Sequence, residues 1–366
     1  MRQTPLIQQH RTAGAKLVDF AGWEMPIQYS GVLDEYHTIR SHVGLFDVSH
    51  MGRVRIVGTG AIPFLQRVTT NDVGKLAVSQ AHYSMVCNEK GGIKDDVFVY
   101  RLAPDEFLLC INASNREKVL AWLRSQLGQD KTTRLEDRSV ELAQLAIQGP
   151  QSRELLMSLG ATAVEDLRLH HTCDSMIGGL PCLLARTGYT GELGYEVYIG
   201  AGEVGHLWDR LLDKGQAWGI KPAGLGARDL LRLEMGYLLY GNDMDEDATP
   251  LEANADWTVS FQKGEFNGRQ ALLAQKEAGL TRRLVAFELV EKAVPRHGFR
   301  ILDPTTFRPI GEVTSGNLSP LLQKGIGLGY VPLRYAGLGA SILIEIRGKC
   351  VTAVTVKPPF YKRKKA

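Results

Sequence analysis

The sequence predicts an α+β fold that ends in a small antiparallel β-barrel or sandwich. The chain has 366 residues, a length that suggests two or three domains. Up to about residue 245, helical and strand-like segments alternate. From Leu284 onward, short β-rich runs alternate with Gly, Pro and Ser turns, a pattern typical of small antiparallel barrels.

The predicted elements follow the chain in order. A helix at 36–43 with Gly44 as its C-cap precedes a strand at 53–57 and a helix at 61–68. Next come strands at 97–101 and 106–112, and a helix beginning at Ser114, where Ser114 and Glu117 form a capping box. A polar loop at 128–137 separates two domains. The later elements are strands at 142–147 and 183–186, helices at 151–159, 204–214 and 226–240, and barrel strands at 284–289, 311–315, 325–331, 342–347 and 350–356, with a hairpin at Gly348-Lys349.

Composition excludes several classes of protein. The net charge of +3 is too small for nucleic acid to be the main partner. No apolar run approaches the roughly 20 residues that span a bilayer, and residues 1–5 contain no apolar signal core, so we expect a cytoplasmic protein without membrane contact. The five cysteines form no CxxC pair, which argues against a disulfide framework or a zinc site.

Metal and nucleotide motifs are missing. The acidic run at 243–247 resembles the start of a calcium loop, but Ala248 and Asn254 occupy the positions that need Gly and Glu. His170 and His171 have no second ligand cluster at a suitable spacing. No Gly-rich dinucleotide or phosphate loop is present. We therefore expect no metal and no flavin.

Two adjacent carboxylates, Asp95 and Asp96, follow the turn Gly91-Gly92 and lead into an apolar strand. Alternation along a strand places them on opposite faces. One of them should then point inward, where a carboxylate is costly and usually functional. The alternative is a turn aspartate that backbone N–H groups satisfy.

Eleven short motifs, spread in order over essentially the whole chain, resemble the glycine cleavage T-protein family of aminomethyltransferases. They are DFAGW at 19–23 with MP at 25–26, LFDVSHMG at 45–52, TNDV at 70–73, GGIKDD at 91–96, INAS at 111–114, QGP at 148–150, TGYTGELGYE at 187–196, GLGARD at 224–229, LYGNDM at 239–244, PRHG at 295–298 and PFYKR at 359–363.

The resemblance implies a three-domain cloverleaf around a central folate channel. The first domain would be discontinuous, at 1–50 and 138–245, and the second, at 51–137, would carry the catalytic Asp. Residues 246–274 would connect to a C-terminal barrel or jelly-roll-like domain at 275–366. It also implies a reaction, in which tetrahydrofolate takes the aminomethyl group from the lipoyl arm of H protein. The products are 5,10-methylenetetrahydrofolate, ammonia and dihydrolipoyl H protein, and the P and L proteins are indirect partners.

The resemblance also implies roles for individual residues. Asp95 matches the catalytic aspartate, which would accept a hydrogen bond from folate N10–H and stabilise a cationic iminium. Glu196 would bind the amide and amino edge of the pterin. Arg228 would bind the folate glutamate. Arg232, one helical turn later, either joins it or forms an ion pair with an acidic neighbour.

Aromatic and flexible side chains would hold the folate rings. The candidates are Tyr83, Tyr189 and Trp257, with Met51 as a wall and Asn112 as a hydrogen-bond partner; each could instead be a core residue. Arg363 would reach the ligand if the basic tail at 362–365 closes over it rather than being solvated. Arg296 is the predicted contact with the acidic carrier.

Two alternatives remain. A folate-binding protein of iron–sulfur protein maturation carries Cys in a Lys-Gly-Cys context, whereas Gly348-Lys349-Cys350 has another order. A demethylating flavoenzyme such as dimethylglycine dehydrogenase carries a Gly-rich flavin fingerprint, which this sequence lacks.

Overall fold

A computed structural model describes residues 1–363 and divides them into two units. The first unit comprises Met1–Val68, Asp72–Ser84 and Asp96–Asp229. The second comprises Thr69–Asn71, Met85–Asp95 and the chain from Leu230 onward. The three-domain division expected from the sequence stays a prediction.

The elements alternate between helix and strand. The helices are α1 Ile7–Thr12, α2 Val32–Ser41, α3 Ala61–Val68, α4 Arg116–Leu127, α5 Ser152–Ser158, α6 Val204–Gly215, α7 Leu225–Glu234 and α8 Arg269–Ala278. The strands are β1 Lys16–Phe20, β2 Trp23–Gln28, β3 Gly44–Asp47, β4 Gly52–Val57, β5 Ala81–Cys87, β6 Ile93–Ala103, β7 Glu106–Ile111, β8 Arg134–Asp137, β9 Leu142–Gln148, β10 Thr172–Ile177, β11 Leu180–Ala185, β12 Gly194–Gly200, β13 Lys221–Pro222, β14 Arg282–Leu289, β15 Arg300–Leu302, β16 Pro309–Ser319, β17 Lys324–Pro332, β18 Ser341–Ile346 and β19 Lys349–Val356.

A six-stranded sheet, in the order β10-β11-β12-β9-β3-β13, forms one layer of the first unit. Its strands are antiparallel except for β13, which runs parallel to β3. Helix α6 covers this sheet because its apolar residues recur at helical spacing. The residues on that face, all buried in the main core of the unit, are Val204, Leu207, Trp208 and Leu211.

A second sheet has the order β5-β6-β7-β4-β8. Side chains from β6 and β7 pack against side chains from β11 and β12 in one buried cluster, which includes Tyr100, Leu108, Ala185 and Tyr198. The two sheets of the first unit therefore face each other, and their facing side chains can form a site.

The second unit contains the predicted barrel. Its six antiparallel strands close in the order β14-β17-β16-β15-β18-β19. Ile346 pairs with Lys349, so the turn of the last hairpin is Arg347-Gly348, one residue earlier than the predicted Gly348-Lys349. Arg347 and Gly348 both have positive φ, 50° and 79°, as a type I′ turn requires. The mixed fold and the antiparallel barrel predicted from the sequence are confirmed.

Some local predictions were wrong. Gly44 does not cap a helix but begins β3, where a Cβ would lie 2.3 Å from Ile39 Cγ1. Ser114 does not begin α4, because a 3₁₀ turn at Ala113–Asn115 leads into the helix, which starts at Arg116.

Two further segments differ from prediction. The helix expected at 226–240 ends at Glu234, because Gly236 adopts a left-handed φ of 68°. The loop expected at 128–137 contains β8.

Within residues 1–363, no helix has the length and apolar character needed to cross a bilayer. The expected cytoplasmic location stays a prediction.

Candidate active site

Strand β6 presents the two adjacent carboxylates on opposite faces. Asp95 and Asp96 are consecutive residues of this strand, and successive strand side chains point to opposite sides of a sheet. Asp95 is fully buried, whereas Asp96 is half-buried. Asp96 shares its face with Phe98 and Tyr100, which belong to the cluster between the two sheets.

Two residues that were predicted to contact the folate, Tyr83 and Asn112, donate hydrogen bonds to Asp96. The Tyr83 hydroxyl donates to Oδ2 over 2.8 Å, and the Asn112 amide donates from Nδ2 to Oδ1 over 2.7 Å. The structure thus brings Tyr83 and Asn112 to the second aspartate of the pair, although the sequence prediction assigned the first. The available signal was strand alternation, because Asp96 is in phase with the aromatic residues Phe98 and Tyr100.

The pKa of the Asp96 carboxyl group is shifted toward neutral pH. Burial raises the pKa of Asp96 to about 6, although the hydrogen bonds from Tyr83 and Asn112 favour the ionised form. A carboxyl group with such a pKa can accept a proton from a ligand near physiological pH.

Glu196 lies on β12, in the opposite sheet. Its carboxylate accepts hydrogen bonds from Thr187 Oγ1 over 2.5 Å, Gln144 Nε2 over 3.3 Å and the Tyr100 hydroxyl over 3.4 Å. These bonds fix the orientation of the carboxylate. Because Glu196 is only half-buried and each carboxylate oxygen accepts more than one hydrogen bond, it can still receive N–H groups from a ligand.

A row of aromatic side chains connects the two carboxylates. Tyr83, bonded to Asp96, lies 6.4 Å from Phe98 between ring centroids. Phe98 lies 5.2 Å from Tyr100, which is bonded to Glu196. The row therefore runs from one carboxylate to the other, and its half-buried members, Tyr83 and Phe98, offer ring surface to a flat ligand, whereas Tyr100 is fully buried.

The loop at 48–51 brings Met51 to the same cluster. The backbone N–H of Ser49 donates to Asp47 Oδ1 over 2.8 Å. The fully buried guanidinium of Arg53 donates to the carbonyls of Ser49 and Met51. The loop is therefore held at both ends, and Met51 has a fixed backbone position.

Arg228 lies in the first turn of α7 and stacks on Tyr189, with its guanidinium carbon 4.6 Å from the ring centroid. Within residues 1–363, no carboxylate pairs with this guanidinium. The loop that carries Tyr189 is anchored by the hydroxyl of Thr190, which donates to Gln148 Oε1 over 2.8 Å. A half-buried arginine of this kind is suited to bind an anionic group of a ligand.

The remaining candidates belong to the second unit. Trp257 is 66% exposed, and Arg296 and Arg363 are also exposed. Lys364 and Lys365 of the basic tail lie outside the described residues. The predicted roles of Trp257, Arg296 and Arg363 stay predictions.

Arg232 forms an ion pair with an acidic neighbour, which is one of the two roles that the sequence left open. Its guanidinium donates to Asp243 Oδ2 over 2.7 Å and to Ser315 Oγ over 2.8 Å, and the side chains of Arg232 and Asp243 are almost fully buried. Arg232 therefore joins α7 to the barrel within the second unit. In residues 1–363, no cluster of three or more His, Cys, Asp or Glu side chains could hold a metal ion.

Comparisons with known proteins identify the family of the chain. The model of the GCVT N-terminal domain matches residues 6–263, and the model of the glycine cleavage T-protein C-terminal barrel domain matches residues 282–362. The aminomethyltransferase of Halothermothrix orenii is 45% identical, over 98% of this chain and 100% of its own. The aminomethyltransferase of Lysinibacillus sphaericus is 43% identical, over 100% of this chain and 99% of its own.

A solved structure is also similar over the whole chain. The glycine cleavage system aminomethyltransferase T from Bartonella henselae is 34% identical, covers 98% of each chain and superposes with a TM-score of 0.92. Because two family models and full-length relatives match the chain, the resemblance seen in the sequence motifs is confirmed: the chain belongs to the glycine cleavage T-protein family.

Proposed function

We propose that this protein is a tetrahydrofolate-dependent aminomethyltransferase of glycine cleavage. It takes the aminomethyl group from the lipoyl arm of H protein and gives 5,10-methylenetetrahydrofolate, ammonia and dihydrolipoyl H protein. The P and L proteins are partners only through that carrier. The observation that carries the proposal is the aromatic row between Asp96 and Glu196, in a chain whose relatives are named aminomethyltransferases.

The pterin ring of tetrahydrofolate fits the Glu196 end of this row. Its amide and amino groups form an edge of two parallel N–H donors, which matches a carboxylate. Hydrogen bonds from Thr187 and Gln144 fix the Glu196 carboxylate before the ligand arrives, which lowers the entropy cost of binding. Met51 and Tyr83 then contact the flat rings.

Asp96, rather than Asp95, is our proposed catalytic carboxylate. It is the member of the pair that Tyr83 and Asn112 hold on the same face as Tyr100. Beside folate N10, Asp96 accepts the N10–H hydrogen bond, increases the nucleophilicity of the nitrogen and stabilises the cationic iminium. A general base of this kind contributes about 10²–10⁴ in rate.

The transfer replaces two bonds of the methylene carbon. Its bonds to the lipoyl sulfur and the amino nitrogen break, and bonds to folate N5 and N10 form. Of the two protons that N5 and N10 lose, one goes to the sulfur and one to the departing ammonia. Asp96 carries the N10 proton in this exchange.

Arg228 and Tyr189 suit the glutamate tail of the folate. The guanidinium is stacked on Tyr189, so it binds a carboxylate with little further loss of conformational freedom. Trp257 and Arg363 are additional proposed contacts, carried by the family resemblance alone.

The barrel domain is the proposed docking surface for H protein. Residues 282–362 contain twelve Lys or Arg and five Asp or Glu, and carriers of this system are generally acidic. Exposed Arg296 lies in this segment. We expect Arg296→Glu to raise the KM for H protein more than Arg308→Glu, an equal charge change at another exposed barrel position. Equal effects of the two changes would contradict a specific role for Arg296.

The reaction itself is tested with purified protein, aminomethylated H protein and tetrahydrofolate, by following ammonia and methylenetetrahydrofolate. We expect the two products in equal amounts and only when folate is present. Tight folate binding without ammonia release would contradict the transferase proposal and favour a folate-binding protein of iron–sulfur protein maturation.

A further inference from the structure

The hydroxyl group of Tyr198 is linked to the Glu196 carboxylate through Tyr100. Tyr198 lies two residues after Glu196 on β12, so both side chains point toward the opposite sheet. The Tyr198 hydroxyl donates to the Tyr100 oxygen over 3.1 Å, and the Tyr100 hydroxyl donates to Glu196 Oε2 over 3.4 Å. Tyr198 is 2% exposed and Tyr100 is fully buried. A buried chain of two hydrogen bonds therefore ends at a half-buried carboxylate, which a ligand can reach.

The direction of this chain follows from the protonation of the two tyrosines. Burial raises the pKa of Tyr198 and the pKa of Tyr100 well above the ordinary value of a phenol, so both hydroxyl groups keep their protons at neutral pH. A phenol hydroxyl has one proton to donate and can also accept a hydrogen bond. Because Tyr198 donates to Tyr100, the proton of Tyr100 is left for Glu196, and the bond that Tyr100 accepts strengthens the one that it donates.

The position of Thr187 shows what the Tyr198 hydroxyl prevents. Thr187 Oγ1 donates to Glu196 Oε2 over 2.5 Å, and it also lies 3.5 Å from the Tyr100 oxygen. Tyr198 supplies the proton that the Tyr100 oxygen accepts, so the proton of Thr187 is directed to Glu196. Without the Tyr198 hydroxyl, Thr187 can donate to Tyr100 instead, and the carboxylate then loses part of its support.

We propose that Tyr198 is a positioning residue for folate recognition, which acts through Tyr100 and Thr187 to orient the Glu196 carboxylate toward the pterin. This inference rests on the proposed function, in which Glu196 binds the amide and amino edge of the pterin. Orienting the carboxylate before the ligand arrives lowers the entropy cost of binding. The bond from Gln144 Nε2 to Glu196 Oε1, at 3.3 Å, does not depend on this chain, so the contribution of Tyr198 is partial.

The test measures dissociation constants for tetrahydrofolate in Tyr198→Phe and in the matched control Tyr195→Phe. Each change removes one hydroxyl group from a buried tyrosine of β12. The Tyr195 side chain belongs to the main core on the other face of the strand, where its hydroxyl donates to the Val164 carbonyl over 3.4 Å. We expect Tyr198→Phe to raise the dissociation constant about twofold to tenfold and Tyr195→Phe to leave it unchanged.

A double-mutant cycle shows whether Tyr198 acts through Glu196. In Glu196→Gln, the carboxylate that Tyr198 orients is missing, so the added change Tyr198→Phe should cause little further loss of folate affinity. A residue that only supports the fold would cause the same loss in both backgrounds. Equal losses in the two backgrounds, or unchanged affinity in the single variant Tyr198→Phe, would overturn the positioning role.

Thermal unfolding of the variants provides the control for folding. If Tyr198→Phe does not fold, Tyr100→Phe removes the next member of the same chain and should raise the dissociation constant at least as much. A loss of folate affinity in Tyr195→Phe as large as that in Tyr198→Phe would also overturn the inference. A wild-type protein that does not bind tetrahydrofolate would instead contradict the proposed function.

Discussion

Asp95 and Asp96 point to opposite faces of strand β6, and Asp96 is the one whose face carries Phe98 and Tyr100 between the two sheets of the first unit. Adjacent positions in the sequence therefore have different surroundings. Asp95 is fully buried, while Asp96 is half-buried and is held by Tyr83 and Asn112. This difference decides which carboxylate we expect to act on the substrate.

The pH dependence of turnover should report on Asp96. Its pKa is raised to about 6, so below that pH the carboxyl group is protonated and can no longer accept the N10–H hydrogen bond. We expect kcat to fall about tenfold per pH unit below 6 and to level off above it. In Asp96→Asn, the residual rate should not change in this range. A wild-type profile that is flat from pH 5 to 7 would contradict the assignment.

The ionised Asp96 carboxylate should lower the free energy of unfolding. Its pKa in the folded protein lies above the ordinary 3.8, so the folded state binds this proton more tightly than the unfolded state. The free energy of unfolding therefore decreases as pH rises from about 4 through 6, and the loss persists above 6. Removing this cost should make Asp96→Asn more stable at pH 7.5, by roughly 1–2 kcal/mol given the partial exposure.

The stability difference should shrink to a small part of its value at pH 4, where the carboxyl group is protonated in the folded state and partly protonated in the unfolded state. Denaturant unfolding at pH 7.5 and pH 4 measures this. An Asp96→Asn protein that is less stable than the wild type at pH 7.5 would show that the ionised carboxylate is a structural group.

Glu196 should control folate affinity. In Glu196→Gln, one carboxylate oxygen becomes an amide nitrogen that cannot accept the bonds of Thr187 or Gln144, and the charge opposite the pterin is lost. We expect the dissociation constant for tetrahydrofolate to rise about 10- to 100-fold. Thr187→Val is the control: it removes one supporting bond and should cost about twofold to tenfold. Unchanged folate affinity in Glu196→Gln would place the pterin elsewhere.

Arg232 should matter for stability rather than for folate. Its ion pair with Asp243 is buried, and removal of one partner leaves an uncompensated charge. We expect Arg232→Met to lower the free energy of unfolding by about 3–5 kcal/mol, and Arg232→Met with Asp243→Asn together to cost less than the sum of the single changes. A specific loss of folate affinity in Arg232→Met, with unchanged stability, would contradict this role.

The sequence predicted the elements that local patterns determine. Helix α3 was predicted at its observed bounds because its apolar residues recur at helical spacing, and the barrel strands were recognisable from their turns. Features that depend on contacts between residues far apart in the sequence were predicted less well. Gly44 packs closely against Ile39, and no local sequence pattern indicates this contact. The apolar spacing predicted that α7 continues to residue 240, whereas the positive φ of Gly236 ends it early.

The roles of the predicted site residues stay predictions, but the structure shows which of them lie together. Asn112 and Glu196 lie in the family motifs, and Tyr83 was an aromatic candidate; hydrogen bonds of all three lie within the first unit. Our proposal of Asp96 instead of Asp95 rests on which face of β6 lies toward the opposite sheet, and the sequence alone does not show this. The ion pair of Arg232 could be identified only from the position of Asp243 in the structure.

The most direct test compares Asp95→Asn with Asp96→Asn in folate-dependent release of ammonia from aminomethylated H protein, with thermal unfolding of both variants as the control for folding. We expect Asp96→Asn to stay folded and to lose about 10²–10⁴ in kcat, while folded Asp95→Asn stays within about tenfold of the wild type. A folded Asp96→Asn with nearly wild-type turnover, beside a folded but inactive Asp95→Asn, would contradict our assignment and return the catalytic role to Asp95.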